Sequence, residues 1–355
     1  MFKKLLALLL ALSLLGGCAQ ADLRRYPREE QENDPAGLEE ETLRIAMPVD
    51  APQLMWDTLD LLRAKIKELS GGRLKVTVRK AKYPIESYRE GQADLYFFTT
   101  EEMIQMDDRL SFMTMPFLFP DADTMLTFLN DESGVVRNST ATQTRLRGEI
   151  LGVYYGGTRA FLNRGRYYDE VGFYNNTAIL PGHLGENAFI AAGAETLVVG
   201  EQEEIFNYLA QSTVKFGEYI PGTEVPPETL AQLRNVERTQ HQFDGWWLVL
   251  SAGKSANLST QSRAVFKEAF AYTVQWEKQL MEADQTSQLD QLQQQIQQLQ
   301  ASESSSSDTS ERSSKVTPAS TYDNAKAAML DYYKDNWQEL GIPQDIWEAL
   351  QNLIF

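Results

Sequence analysis

From Leu43 to Asn130 the period of the apolar positions switches repeatedly between two and about three and a half. Leu43 to Met47 is a short apolar run that predicts a buried strand, and Pro48 and Pro52 break it. Leu54, Met55, Leu59, Leu62, Ile66 and Leu69 share one face at helical spacing, which predicts a helix over 53–70 that Gly71 and Gly72 stop. Leu74, Val76 and Val78 alternate as a strand does, a short helix over 83–90 follows, and Leu95 to Phe98 is a third strand. This β-α-β-α-β order predicts an α/β domain with a largely parallel sheet.

Met115 to Asn130 departs from both periods. Pro116 and Pro120 bracket Phe117, Leu118 and Phe119. Proline removes a donor and fixes φ, so the triplet reads as a buried, irregular crossing that binds nothing directly. Asp121 or Asp123 then caps a helix carrying Met125, Leu126, Phe128 and Leu129. Further on, 184–192 reads as a helix ended by Gly193, and 196–199 as a β-branched strand. Over 259–281, Phe266, Ala269, Phe270, Thr273, Trp276 and Leu280 give a long helix one apolar face. Leu289, Leu292, Ile296 and Leu299 then repeat at three, four and three residues within a Gln-rich stretch. That is two heptads, which fits a helical extension, a short coiled coil with a dimer contact through 286–300, or a solvated helix. A Ser-rich linker follows over 301–320, then apolar helices over 322–340 and 342–355 that are expected to dock back on the fold.

Composition narrows the class. A chain of 355 residues that is 43% hydrophobic can build more than one domain around a real core. A net charge of −17 argues against a nucleic-acid partner, because phosphate backbones need a basic surface. Lys3 and Lys4 precede an apolar run over 5–15 that is too short to span a bilayer, as in a signal peptide over 1–17. Leu15-Gly16-Gly17-Cys18 resembles a bacterial lipobox. The resemblance implies cleavage before Cys18, lipid on that residue, and an extracytoplasmic protein anchored to the membrane. Each buried lipid CH2 contributes about 0.8 kcal/mol, so several acyl chains hold firmly. Cys18 is the sole cysteine, which excludes an internal disulfide, and 18–42 reads as a lipidated cysteine and polar tether.

Four blocks carry a resemblance: Ser70-Gly71-Gly72-Arg73-Leu74-Lys75-Val76, Gly91-Gln92-Ala93-Asp94-Leu95, Met115-Pro116-Phe117-Leu118-Phe119, and Gly157-Thr158-Arg159-Ala160-Phe161-Leu162-Asn163. In type and order they are similar to the DctP-type substrate-binding subunits of TRAP transporters. Glu149 to Tyr155 resembles that family's strand from the first lobe to the second, and Val236 to Ser251 its return strand. The implied fold is α/β and two-lobed, like periplasmic binding proteins, each lobe a mixed sheet flanked by helices, with a long helix joining the lobes. The first lobe is then 43–153 with about 243–282, the second 154–242, followed by an insert over 285–320 and docking helices over 321–355. The implied partners are a small organic-acid-like ligand and a TRAP membrane permease.

The resemblance also locates a departure. The family's main carboxylate-binding arginine lies in a strand ending at a proline; aligned through Pro181, that position is Ile179. Arg159 matches a second family arginine and is the remaining anion contact or else a structural residue. A guanidinium fork suits a carboxylate where water is excluded. Lys215 replaces an acid, and Tyr219 stands where asparagine often follows Glu218. Tyr154, Glu218, Tyr219 and Trp246 complete the cleft candidates, the aromatics either lining the cleft or packing the hinge. With two histidines, no HExxH or CxxC and no GxSxG, GxGxxG or Walker sequence, no metal, no cofactor and no enzymatic activity is expected. The rival reading is a degenerate TRAP-like lipoprotein that senses a ligand or holds a protein partner.

Overall fold

A computed structural model describes residues 38–164, 176–180, 182–304 and 319–354. Cys18, the tether before residue 38, the Ser-rich segment 305–318, and Gly172 to Asn175 of the aligned binding strand lie outside these residues.

The opening elements follow the hydrophobic pattern. They are β1 (Glu41–Pro48), α1 (Gln53–Leu69), β2 (Leu74–Ala81), α2 (Pro84–Arg89), β3 (Leu95–Thr99) and α3 (Thr100–Met106). The buried positions of α1 are Met55, Thr58, Leu59, Leu62 and Ile66, the stripe read from spacing. Thr99 and Glu102 close a capping box at the start of α3, satisfying two backbone donors reciprocally. A 3-10 turn over Asp108–Thr114 leads into the proline-bracketed crossing and α4 (Ala122–Asn130), with α5 (Thr140–Leu146) after it. Phe117, Leu118 and Phe119 are buried. Phe117 has a φ of 58° and donates its N–H to the His241 carbonyl. A bulky residue rarely adopts positive φ, so packing holds this turn against the inter-lobe crossing. Asp121 caps α4 by accepting the Thr124 N–H at 2.7 Å.

Two five-stranded sheets make the two lobes. The first runs β2-β1-β3-β10-β4, where β4 is Gly148–Thr158 and β10 is Phe243–Ser251. β1 is parallel to β2 and β3, and β10 is antiparallel to both β3 and β4. The second runs β7-β6-β8-β5-β9, built from β5 (Ala160–Asn163), β6 (Thr177–Ile179), β7 (Thr196–Val198), β8 (Phe216–Tyr219) and β9 (Asn235–Glu237). Here β6 is parallel to β7 and β8, and β5 is antiparallel to β8 and β9. α6 (His183–Ala191), α7 (Gln202–Ala210) and α8 (Pro227–Leu230) belong to this lobe. The chain crosses outward between β4 and β5 and returns between β9 and β10, so each lobe is a mixed sheet flanked by helices.

After α9 (Ala252–Ser255), α10 (Thr260–Ser304) joins the lobes as one 45-residue helix. At 1.5 Å per residue it spans roughly 70 Å. Val265, Phe266, Ala269 and Phe270 pack in the core of the first lobe with Leu43, Leu62, Tyr154 and Trp246. Leu289, Leu292 and Ile296 pack in the second with Leu162, Ile205, Leu209 and Val236. The Gln-rich stretch is thus the second half of the lobe-joining helix. The apolar stripe expected to support a dimer through 286–300 is instead spent inside the chain; of its four members only Leu299 is exposed. Polar side chains of α10 also grip the crossing. The Thr273 and Tyr154 hydroxyls bond at 2.8 Å, Glu277 accepts the Tyr155 N–H at 3.0 Å, and Gln285 accepts the Thr158 N–H at 3.0 Å.

The last helices, α11 (Ala319–Asn336) and α12 (Gln344–Ile354), dock at the lobe junction. Met329, Tyr333, Ile346, Trp347 and Leu350 share one buried cluster with Met115, Phe117 and Leu184. The Tyr333 hydroxyl donates to the Pro116 carbonyl at 3.0 Å.

Candidate functional site

In α/β sheets, ligands sit beyond the carboxyl ends of the parallel strands. In the second lobe that end holds Leu180 after β6 and Glu218 near the end of β8. The pairing of β5 with β8 sets Phe161 opposite Glu218, which brings Arg159, just before β5, to the same place. The return to β10 adds His241 and Asp244.

These side chains form a charged cluster at the crossing. Arg159 Nη1 lies 3.1 Å from Glu218 Oε2, and its Nε lies 3.6 Å from Asp244 Oδ2. The Arg159 side chain is 13% exposed, Glu218 2% and Asp244 30%, so only Arg159 and Asp244 reach solvent to any extent. Glu218 Oε2 also accepts the Leu180 N–H at 2.6 Å, and its Oε1 contacts His241 Nε2 at 2.9 Å. His241 is fixed in turn: Nδ1 meets Thr239 Oγ1 at 2.6 Å and the ring stacks on Phe161 with centroids 4.5 Å apart. Arg159 is held from behind, its own N–H donating to the Gln242 carbonyl at 3.0 Å. Its buried Nε has no hydrogen-bond partner among the described residues.

The electrostatics follow from this geometry. Burial opposes ionisation of Glu218, but the Arg159 charge, the His241 bond and the Leu180 N–H together hold its carboxyl well below the usual range. Burial likewise opposes the Arg159 charge, and the Glu218 and Asp244 carboxylates outweigh it, so the guanidinium stays ionised more firmly than in water. What results is a preorganised guanidinium with one edge unsaturated, suited to a polar ligand group rather than to acid–base turnover.

Of the residues singled out from sequence, the fold brings Arg159 and Glu218 together. It places the three aromatics elsewhere. Tyr154 is fully enclosed between the first sheet and α10, its ring 4.7 Å from that of Phe270, so it does not line a cleft; alternation along β4 points it to the α10 side. Trp246 is buried in the same cluster. Tyr219 packs against Phe206 in the second lobe, and its hydroxyl donates to the Thr223 carbonyl at 2.8 Å. Packing is thus the role that fits all three. Ile179 is 2% exposed within the junction core, an apolar side chain where the family resemblance placed a cation. His241 and Asp244 escaped sequence reasoning. Their one signal is position, at the polar break that opens the return strand. Among the described residues, no three His, Cys, Asp or Glu side chains are placed to hold a metal ion, and no helix is long and apolar enough to cross a membrane.

Two α/β lobes, crossed twice by the chain and bridged by one long helix, with a buried guanidinium at the crossing, define a two-lobe binding protein. Residues 46–324 match the family described as bacterial extracellular solute-binding protein, family 7, also called DctP, and the chain belongs to that family. It is a DctP-type TRAP substrate-binding protein and not an enzyme. No curated protein sequence matches the chain. Solved structures show the same fold. A TRAP periplasmic solute binding protein from Ochrobactrum anthropi, whose C-terminus is bound in its ligand pocket, aligns with a TM-score of 0.70 at 14% identity, over 89% of this chain and 95% of that one. One from Sulfurospirillum deleyianum with bound succinate aligns at 0.61 and 14%, over 89% and 100%. One from Chromohalobacter salexigens with bound D-glucuronate aligns at 0.62 and 15%, over 87% and 98%.

Proposed function

We propose that this protein captures a small organic-acid-like ligand between its lobes and delivers it to a TRAP-type membrane permease. In this reading it works outside the cytoplasm, anchored by lipid on Cys18. Arg159 is the anion contact and Glu218 its brace. The observation that carries the reading is the Arg159 guanidinium: it lies at the inter-lobe crossing, is positioned by a buried carboxylate, and keeps an unsaturated Nε. Support comes from the bound acids of two structural relatives, succinate and D-glucuronate. A ligand touching both lobes binds the closed arrangement better than the open one, which draws the lobes together.

Thermal-shift screening with organic acids tests the proposal, since a bound ligand stabilises by RT ln(1 + [L]/Kd). An acid that raises the Tm of the wild type and leaves Arg159→Ala unshifted supports it. An acid that stabilises both equally removes Arg159 from the site. A second reading, a degenerate TRAP-like lipoprotein that senses a ligand or holds a protein partner, is favoured by one observation, the buried Ile179 in place of the family arginine. It predicts binding without delivery to a permease.

A further inference from the structure

The charges around Arg159 narrow the ligand class, given the solute-capture reading above. Glu218 is spent: it is buried, one oxygen accepting the Leu180 N–H and facing Arg159, the other against His241. Asp244 is different. It is 30% exposed, and its charged partner is Arg159. Its carboxylate stands 3.6 Å from the Arg159 Nε, a buried atom with no close hydrogen-bond partner among the described residues. The site therefore offers a cationic donor and an anionic acceptor side by side, the acceptor part-exposed. Two carboxylates, Glu218 at 3.1 Å and Asp244 at 3.6 Å, already face the one guanidinium, an excess of acid over arginine. A plain carboxylate adds to that excess and must compete with Asp244 for the guanidinium. A group bearing a carboxylate and an ammonium on neighbouring atoms adds no net charge and answers both partners.

We infer that the site is built for a zwitterionic ligand of the α-amino acid or betaine type, its carboxylate on Arg159 and its cationic nitrogen beside Asp244. Asp244 is then the specificity-determining residue, separating zwitterions from the simple acids bound by relatives.

The test is isothermal titration of the soluble protein with probe pairs that differ by the nitrogen group: L-aspartate against succinate, L-glutamate against glutarate, L-leucine against 4-methylpentanoate, and glycine betaine against acetate. D-glucuronate serves as the anion without an ammonium. The expected result is at least one zwitterion binding about tenfold or more tightly than its partner, the scale of one charge-assisted hydrogen bond. Asp244→Asn, nearly isosteric and part-exposed, is expected to bring that ratio close to unity and to tighten the simple acid. The inference is overturned if the simple acids or glucuronate bind as tightly as any zwitterion, or if a zwitterion preference survives Asp244→Asn. The wild-type comparison decides the first point even if the variant folds poorly. Silence from every probe at millimolar concentration counts against organic-acid capture itself and removes this inference with it, an outcome distinct from tight binding of the wrong class.

Discussion

Glu277 gives α10 a measurable pH dependence. Its side chain is fully buried beneath the crossing strand. One carboxyl oxygen accepts the Tyr155 N–H at 3.0 Å, and the other has no hydrogen-bond partner among the described residues. Burial pushes this carboxyl up from 4.5 to about 8; the Tyr155 N–H works against that, and the Glu282 charge adds to it. The folded state therefore keeps a proton that the unfolded chain gives up above about pH 4.5. Below that pH both states are protonated and the fold bears no cost. As pH rises toward 8 stability falls, by about 1.4 kcal/mol for each unit, and above 8 the loss is complete. The whole window amounts to at most about 5 kcal/mol. Glu277→Gln mimics the protonated form and retains an acceptor for Tyr155, so it removes the slope. Urea unfolding of wild type and variant at pH 5, 6, 7 and 8 isolates the effect as a difference. The curves should nearly meet at pH 5, with the variant more stable by several kcal/mol at pH 8. Parallel curves across that range would refute the reasoning.

Other parts of the account have shorter tests. Ile296→Ala should cost about 2–5 kcal/mol in unfolding free energy, because Ile296 is fully buried in the second lobe; sedimentation should report the same mass before and after the change. Tyr333→Phe leaves the Pro116 carbonyl without its donor and should cost about 1–3 kcal/mol, read as a lower urea midpoint. Glu218 has a depressed carboxyl, so its contribution is present above about pH 4.5 and is lost as pH falls through the lower folded value. Glu218→Gln should flatten that acid limb and cost about 3–5 kcal/mol at pH 7 by leaving Arg159 without its nearest partner.

Local signals in the sequence carried the frame. The α1 stripe, the alternation of Leu74, Val76 and Val78, and the proline-bracketed Phe117 to Phe119 each set their structure within a few residues, and all were readable. The continuity of α10 was not. A change of composition near Asp284 suggested a boundary, but Gln is a good helix former and nothing there breaks a helix. Nor can a stripe such as Leu289, Leu292 and Ile296 say what covers it; the covering surface comes from strands and helices distant in the chain. The site divides in the same way. Arg159 and Glu218 were found through their neighbours in motif-like segments, and strand pairing then joined them. His241 and Asp244 stand at an irregular break, where no period marks which way a side chain points. For the aromatic candidates the sequence left lining and packing both open; Tyr154 and Trp246 point inward along strands whose buried face is set by α10, a partner distant in the chain.

A crystal structure of the protein with its captured ligand tests the central claim most directly. The account predicts the ligand between the two sheets, touching residues of both lobes, with a carboxylate on Arg159 and Glu218 still braced against His241. A ligand bound outside the crossing, or held there with the Arg159 guanidinium turned away, would contradict it.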